Sequence, residues 1–234
     1  MIIIESKRNA MMIQHKYPNA LIIDVSYSSI SLNESGKLNP FYPHEKIPVP
    51  YTDGYDGISV SSVWNSLKVF EYSDVNINLR NSINIQKLRR ENSGSIIGFR
   101  QGYFNDYIMR IVEARKKILI PMYRDMLEQK VYTIVQWLRE KALHQDIVLL
   151  DDSTNYDINN INQPLSYAWL VKSYVEGLYP YENVYETKTE YQYVMVGQHS
   201  YCCKTDVKVL KEIAPYCCNK QFKIGFDYYN SVFE

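Results

Sequence analysis

Ile147-Val148-Leu149-Leu150-Asp151-Asp152 is the stretch that decides the fold, because four aliphatic residues in a row end at two adjacent aspartates. A short, continuous apolar run of this kind is typical of a buried strand. The polar residues that follow, from Ser153 to Pro164, predict a turn directly after that strand.

Two further strands and several helices are predicted around this stretch. Residues 2–4 (III) and 20–25 (ALIIDV) have the same short apolar character, and residues 5–15 between them have the pattern of a helix that ends before Pro18. Apolar spacing predicts other helices at residues 59–70, 103–117 and 165–176, and one or two helices at residues 122–143. Residues 73–102 are polar, with turns expected at Gly94, Gly98 and Gly102. The fold class predicted from this mixture is α+β.

The chain changes character after Tyr179-Pro180, so we predict a domain at residues 1–180 and a small appendage at residues 181–234. Within the appendage, residues 190–198 and 221–229 have strand patterns, and residues 205–213 have a helical one. The chain contains 22 tyrosines, and tyrosine suits interfaces because it combines an apolar face with a polar tip. A homo-oligomer that forms through this tyrosine-rich segment is one hypothesis.

Composition excludes some classes of function. The 26 basic and 26 acidic residues balance, so the total charge gives no argument for nucleic-acid binding, and none is expected. There is no apolar window long enough for a membrane span, and the first residues lack the order of a signal peptide. We therefore expect a cytoplasmic protein with no membrane partner.

The cysteines form two adjacent pairs, Cys202-Cys203 and Cys217-Cys218. Cytoplasmic cysteines are expected to be reduced, and zinc ligands are usually spaced by two to four residues rather than adjacent. We therefore predict buried thiols, with no bound metal and no cofactor.

Charge is distributed unevenly along the chain. Residues 80–117 hold nine basic and three acidic residues, whereas residues 140–190 hold three basic and nine acidic ones. Facing stretches of opposite charge could hold a phosphate on one side and a developing cation on the other. The alternative is that both stretches are solvated helix faces.

A proline-rich aromatic loop precedes the helix predicted at residues 59–70. The loop reads Leu38-Asn39-Pro40-Phe41-Tyr42-Pro43, and the helix carries Trp64 and Lys68 four residues apart. On one helical face, an indole beside an ammonium can stack on a flat ring and hold a phosphate. The alternative is a core tryptophan beside a lysine whose stem lies along apolar surface.

These two segments resemble the opening signature of the NADAR (YbiA-like) family, which reads approximately L-S-N-F-Y-P, then T-V-E-H-x-F-Q-A-x-K-F after a variable loop. The strand at residues 147–152 and its polar turn are similar to the family's second signature, and the resemblance extends over about residues 36–176. It implies a mainly helical NADAR/YbiA-like domain with short strands. It also implies an N-glycosidase that acts on ribose-linked bases of ribose-phosphate or ADP-ribose-type nucleotides.

The resemblance also implies site residues. The catalytic acids would be Asp157 and Asp152, and the ligand-binding residues would be Asn39, Phe41, Tyr42, Ser61, Trp64, Lys68 and Asn155. Two departures stand out: Ser61 occupies the position of the family's glutamate, and the family's Trp-Gly pair is absent after Asp157.

Cleavage of an N-glycosidic bond passes through an oxocarbenium-like state, which a nearby carboxylate stabilises. Since Ser61 has no charge, either another acid, namely Asp157, Asp152 or Glu71, replaces the glutamate, or the protein binds its nucleotide-sugar ligand without cleaving it. The open hypotheses are thus an N-glycosidase, a protein that sequesters or senses the ligand, and a structural or interaction protein.

Overall fold

The computed structural model describes residues 1–26, 34–83, 93–180, 191–196, 199–204 and 222–223. The chain divides into two compact units, Met1–Tyr181 and Glu182–Glu234. The first unit combines helices with several small sheets, so the α+β fold class is confirmed. Within the described ranges, none of the helices has the length and hydrophobicity needed to span a bilayer.

The aliphatic stretches form strands, as predicted, and these strands make a parallel sheet in the first unit. Its strands are β1 (Ile2–Ser6), β2 (Leu21–Asp24) and β8 (Ile147–Asp151), with β8 in the centre. All residues of β8 are buried, as expected for a central strand that has both faces covered. Because the strands are parallel, their carboxyl ends lie at one edge of the sheet, where Ser6 pairs with Asp151.

The side chains of β8 alternate between two apolar layers. Ile147 and Leu149 belong to the main core, and Val148 and Leu150 pack with Ile13 on the other face. Ile13 lies in helix α1 (Ala10–Lys16), which a short 3-10 helix, Lys7–Asn9, connects to β1. The predicted helix at residues 5–15 is therefore confirmed except at its start, since Glu5 and Ser6 belong to β1.

A strand pair and a short helix follow the aromatic loop. Strands β3 (Ile47–Pro48) and β4 (Asp56–Gly57) pair with each other, and helix α2 spans Val60–Ser66. Ser59 caps this helix: its hydroxyl accepts from the Ser62 N–H at 3.1 Å, and the Ser62 hydroxyl accepts from the Ser59 N–H at 3.0 Å. This reciprocal pair is a capping box built from two serines.

The prediction that Trp64 and Lys68 share one helical face is wrong. Helix α2 ends at Ser66, and Lys68 begins strand β5 (Lys68–Phe70). The Arg100 N–H donates to the Leu67 carbonyl at 2.9 Å, so the chain joins an antiparallel sheet at this point. That sheet contains β5, β6 (Ile96–Arg100) and β7 (Ile108–Met109), with β6 in the centre.

Strand β6 also corrects the prediction of turns at three glycines. Gly94 and Gly102 have φ angles of 79° and 78°, which suit turns. Gly98 instead lies inside β6, where a Cβ atom would be 2.5 Å from the Met109 carbonyl oxygen. A glycine in a strand can thus mark a close backbone approach rather than a turn.

The helical part of the first unit differs from the prediction at its start. Residues 103–109 are not helical, and α3 (Ile111–Ala114) continues through a π-helical segment, Arg115–Leu119, into α4 (Ile120–Gln129). Pro121 therefore does not separate two elements, since it lies in the first turn of α4. Helices α5 (Tyr132–His144) and α6 (Tyr167–Val175) follow as predicted.

The second unit is described through its backbone alone. Strands β9 (Tyr191–Val196), β10 (His199–Lys204) and β11 (Phe222–Lys223) form an antiparallel sheet with β9 in the centre. Cys202 and Cys203 lie in β10. The predicted helix at residues 205–213 and the Cys217-Cys218 pair lie outside the described residues.

Candidate functional site

A cavity of about 450 Å³ lies at the carboxyl ends of the parallel strands. Its walls come from the segments after β1 and β8 and from the segment that begins α6: Ser6, Arg8, Asp151, Asp152, Ser153, Thr154, Gln163, Pro164, Leu165 and Tyr167. Ligands of open α/β sheets bind outside the carboxyl ends of the strands, and this volume is within the range of small-molecule pockets. We therefore take this cavity as the candidate site.

Asp151 joins the end of β8 to the start of α6. Its Oδ2 accepts from the Ser166 hydroxyl at 2.9 Å and from the Ala168 N–H at 3.1 Å. Burial raises the pKa of the Asp151 carboxyl to about 6, although the hydrogen bonds that it accepts act in the opposite direction. The cavity wall thus contains a carboxyl that titrates close to neutral pH.

The two aspartates that the resemblance marked as catalytic lie in different environments. Asp152 is half-buried and lines the cavity. Asp157 is exposed, does not line the cavity, and accepts from the Asn159 N–H at 2.9 Å through its Oδ1. Of these two carboxylates, the structure therefore brings Asp152 to the site and leaves Asp157 in the polar turn.

Asn155 has a structural position inside that turn. Its Oδ1 accepts from the Asp157 N–H at 3.0 Å, and its Nδ2 lies 3.3 Å from the Gln163 carbonyl oxygen. The side chain is buried. Asn155 thus links the two ends of the turn, a role that asparagine often has in loops.

Arg115 is a site-supporting residue that sequence reasoning missed. Its guanidinium, which is buried, donates to the carbonyls of Ile158 at 2.8 Å, Asn160 at 2.7 Å and Gln163 at 2.6 Å. Desolvation lowers the pKa of Arg115. The residue begins the π-helical segment, and π-helical turns are frequent at functional sites. Arg115 therefore fixes the loop that ends in the cavity wall.

The aromatic loop is anchored against two helices. The Pro40 carbonyl accepts from the Ser61 N–H of α2 at 2.9 Å, and the Leu38 carbonyl accepts from the Tyr123 hydroxyl of α4 at 2.7 Å. Asn39 is buried, and its Oδ1 accepts from the Phe41 N–H at 2.8 Å. The structure thus brings the loop and the start of α2 together.

Tyr167 connects the start of α2 to the cavity. The Ser61 side chain is close enough to lower the pKa of the Tyr167 hydroxyl, the Tyr167 ring centroid is 5.1 Å from that of Tyr123, and Tyr167 lines the cavity beside Asp151 and Asp152. Burial raises the pKa of the Tyr167 hydroxyl, which stays neutral at physiological pH. Ser61 is therefore one side chain away from the cavity wall.

The remaining predicted ligand-binding side chains do not belong to this wall. The Trp64 indole stacks on Phe99, with ring centroids 3.9 Å apart, and the Lys68 Nζ donates to the Asn65 Oδ1 at 2.6 Å. Tyr42 lies against His44, with ring centroids 4.8 Å apart. None of Phe41, Tyr42, Trp64 and Lys68 is among the residues that line the cavity.

The described residues contain no group of three or more histidine, cysteine or acidic side chains placed to hold a metal ion. The residues that line the cavity supply carboxyl, hydroxyl, amide and guanidinium groups.

Comparison with protein families gives a match to DUF6939, which is described as a family of unknown function, over residues 5–171. Comparisons with curated proteins and with solved structures give no match. The matched range includes the last two residues of β1, all of β2 and β8, and the whole cavity wall.

Proposed function

Because the chain belongs to DUF6939, a family without an assigned activity, we propose a function from the site: an N-glycosidase that cleaves the base–ribose bond of a ribose-phosphate or ADP-ribose-type nucleotide. The proposal follows the resemblance to NADAR proteins. It assigns this activity to a mainly helical NADAR-like domain at residues 1–180. Residues 181–234 would be a strand-and-helix appendage that serves as a homo-oligomer interface, and the protein would be cytoplasmic.

One observation carries the proposal. Ser61, from the first signature, is close enough to Tyr167 to lower the pKa of the tyrosine hydroxyl, and Tyr167 lines the same cavity as Asp152, from the second signature. Two segments separated by about 90 residues of sequence are thus linked through Tyr167, which supports a shared ligand site.

The proposed chemistry uses the aspartates at the end of β8. Loss of the base leaves positive charge on the ribose, and the half-buried Asp152 carboxylate would stabilise that charge or activate water. Asp151, with a pKa of about 6, can exchange a proton near neutral pH. Because Ser61 adds no charge at the position of the family's glutamate, we expect cleavage to be slow.

The second candidate function is binding without cleavage. Ser61 is buried, and it has an uncharged hydroxyl at the position where the family has an acid. A protein of this kind would sequester or sense its nucleotide-sugar ligand.

Measurements on wild-type protein separate the two functions. Calorimetry with ribose 5-phosphate and ADP-ribose tests binding, and chromatography tests release of free base from ADP-ribosylated guanosine and from a phosphoribosyl-pyrimidine. Binding with slow base release supports the N-glycosidase, whereas binding with no release over a long incubation supports the sensor. Absence of both contradicts the proposed function and favours a structural role.

A further inference from the structure

The candidate cavity carries opposite charges on two walls. Asp151 is the last residue of β8 and Asp152 comes directly after it, while Arg8 lies just after β1. Ser6 pairs with Asp151 across the sheet, so the two segments leave neighbouring strands at the same edge. Arg8 belongs to the 3-10 helix Lys7–Asn9 and has an exposed side chain. A ligand in this cavity therefore contacts an acidic wall and a basic residue.

Three other cations of the first unit, Lys7, Arg115 and Lys68, already bind protein groups. Lys7 pairs with Asp24 at 2.8 Å and donates to the Ser26 hydroxyl at 3.0 Å. Arg115 donates to three carbonyls of the turn. Lys68, the phosphate ligand expected from sequence, donates to Asn65 and does not line the cavity.

Arg8 differs from these residues. In the part of the chain that the structure describes, it is the cation that lines the cavity, and its guanidinium makes no ion pair there. A guanidinium stays charged at all physiological pH values and can bind a phosphate through two parallel hydrogen bonds. The hydroxyls of Ser6 and Thr154 line the same cavity and can donate to the same kind of group.

We propose that Arg8 binds the phosphate of the cavity's ligand and that this ligand carries one phosphate group, as in a base-linked ribose 5-phosphate. The proposal rests on the proposed function and names its substrate class. One phosphate is inferred because Arg8 is the one cation among the cavity-lining residues that the structure describes, and one guanidinium can bind one phosphate group through two parallel hydrogen bonds. A diphosphate such as ADP-ribose would carry a second phosphate group for which the described lining has no second cation.

The test compares ribose, ribose 5-phosphate and ADP-ribose by calorimetry on the full chain. Variants Arg8→Gln and Arg8→Lys probe the site, and Arg110→Gln is the matched control, because Arg110 is exposed and does not line the cavity. Circular dichroism melting curves check that all variants fold.

We expect wild-type protein to bind ribose 5-phosphate more tightly than either ribose or ADP-ribose. Arg8→Gln should weaken binding of ribose 5-phosphate by about 10- to 100-fold, the effect of losing a hydrogen bond between charged groups, and should leave ribose binding unchanged. Arg8→Lys should have an intermediate effect because it keeps the charge and loses the paired donors. Arg110→Gln should behave as wild type.

Two results would overturn the inference and leave the proposed function intact. The first is an unchanged preference for ribose 5-phosphate in Arg8→Gln, above all if Lys68→Gln abolishes that preference. The second is tighter wild-type binding of ADP-ribose than of ribose 5-phosphate. A wild-type protein that binds none of the three compounds contradicts the proposed function itself.

Discussion

The Arg115 guanidinium lies 2.6 Å from the Gln163 carbonyl oxygen, across 48 residues of sequence. Together with its bonds to Ile158 and Asn160, this contact makes a π-helical residue the support of the loop that ends in the cavity wall. The Arg115 side chain is buried and its three hydrogen bonds are partly buried, so loss of the guanidinium leaves the carbonyl groups without this donor.

We predict that Arg115→Met lowers the free energy of unfolding by about 2–4 kcal/mol, because three partly buried carbonyls lose a charged donor. Urea denaturation measures the change. Arg110→Met, at an exposed arginine nearby in sequence, is the control and should stay within about 0.5 kcal/mol of wild type. Equal stability of the two variants would show that Arg115 does not support the turn.

The Asp151 carboxyl makes stability depend on pH. Burial raises its pKa from an ordinary 3.8 to about 6, so the folded state holds a proton that the unfolded chain releases between these values. Its contribution to stability is therefore present at low pH and is lost as the pH rises through 6. The free energy of unfolding of wild type relative to Asp151→Asn should fall by about 2 kcal/mol from pH 4 to pH 7.

Urea denaturation of both proteins at several pH values measures this difference. Asp53→Asn, at an exposed loop position, corrects for the general effect of removing a carboxylate. If the free energy of unfolding changes with pH in the same way for wild type and Asp151→Asn, the pKa of Asp151 is not raised. A difference that grows with pH would mean that the hydrogen bonds outweigh burial.

Restoring the acid at position 61 should increase cleavage. Ser61→Glu places a carboxylate near Tyr167 and in the first turn of α2, where a helix favours negative charge. We predict that base release rises on the order of a hundredfold. Ser61→Gln is the matched control, because it adds similar volume without charge and should give no increase. Equal rates of base release by the two variants would show that the residue at position 61 does not take part in the cleavage.

The two compact units predict the outcome of truncation. A chain that ends at Tyr181 should keep the parallel sheet, the cavity and measurable binding of ribose 5-phosphate, because all residues that line the cavity precede that position. Circular dichroism and calorimetry on the truncated chain check both points. Loss of cooperative unfolding would show that residues 182–234 are needed for the fold of the first unit.

The central strands and most helices were predictable because their local patterns have a direct physical cause. The run from Ile147 to Leu150 is buried on both faces, and the helices around it carry apolar stripes. The position of Lys68 was not predictable from spacing, because spacing does not record where a helix ends. The chain leaves α2 at Leu67, whose carbonyl accepts from Arg100, a residue 33 positions later in the sequence.

The site was predictable only in part, for a related reason. Asp152 could be identified because it directly follows a buried strand, and the ends of such strands commonly face ligands. Arg115 could not, because in sequence it is the first of three consecutive basic residues, which are typical of a solvated face. Its partners lie 43 to 48 residues away. The position of Arg8 in the cavity wall could not be predicted either, because it depends on the pairing of β1 with β8.

The most direct test of the account is the single-turnover rate of base release from a phosphoribosyl-pyrimidine. Wild type, Asp152→Asn, Asp157→Asn and the exposed control Asp53→Asn are compared at one pH. We predict slow but measurable release by wild type and by Asp53→Asn, and a loss on the order of a hundredfold in Asp152→Asn. A wild-type rate in Asp152→Asn, with the loss appearing in Asp157→Asn instead, would contradict the assignment of this cavity as the active site.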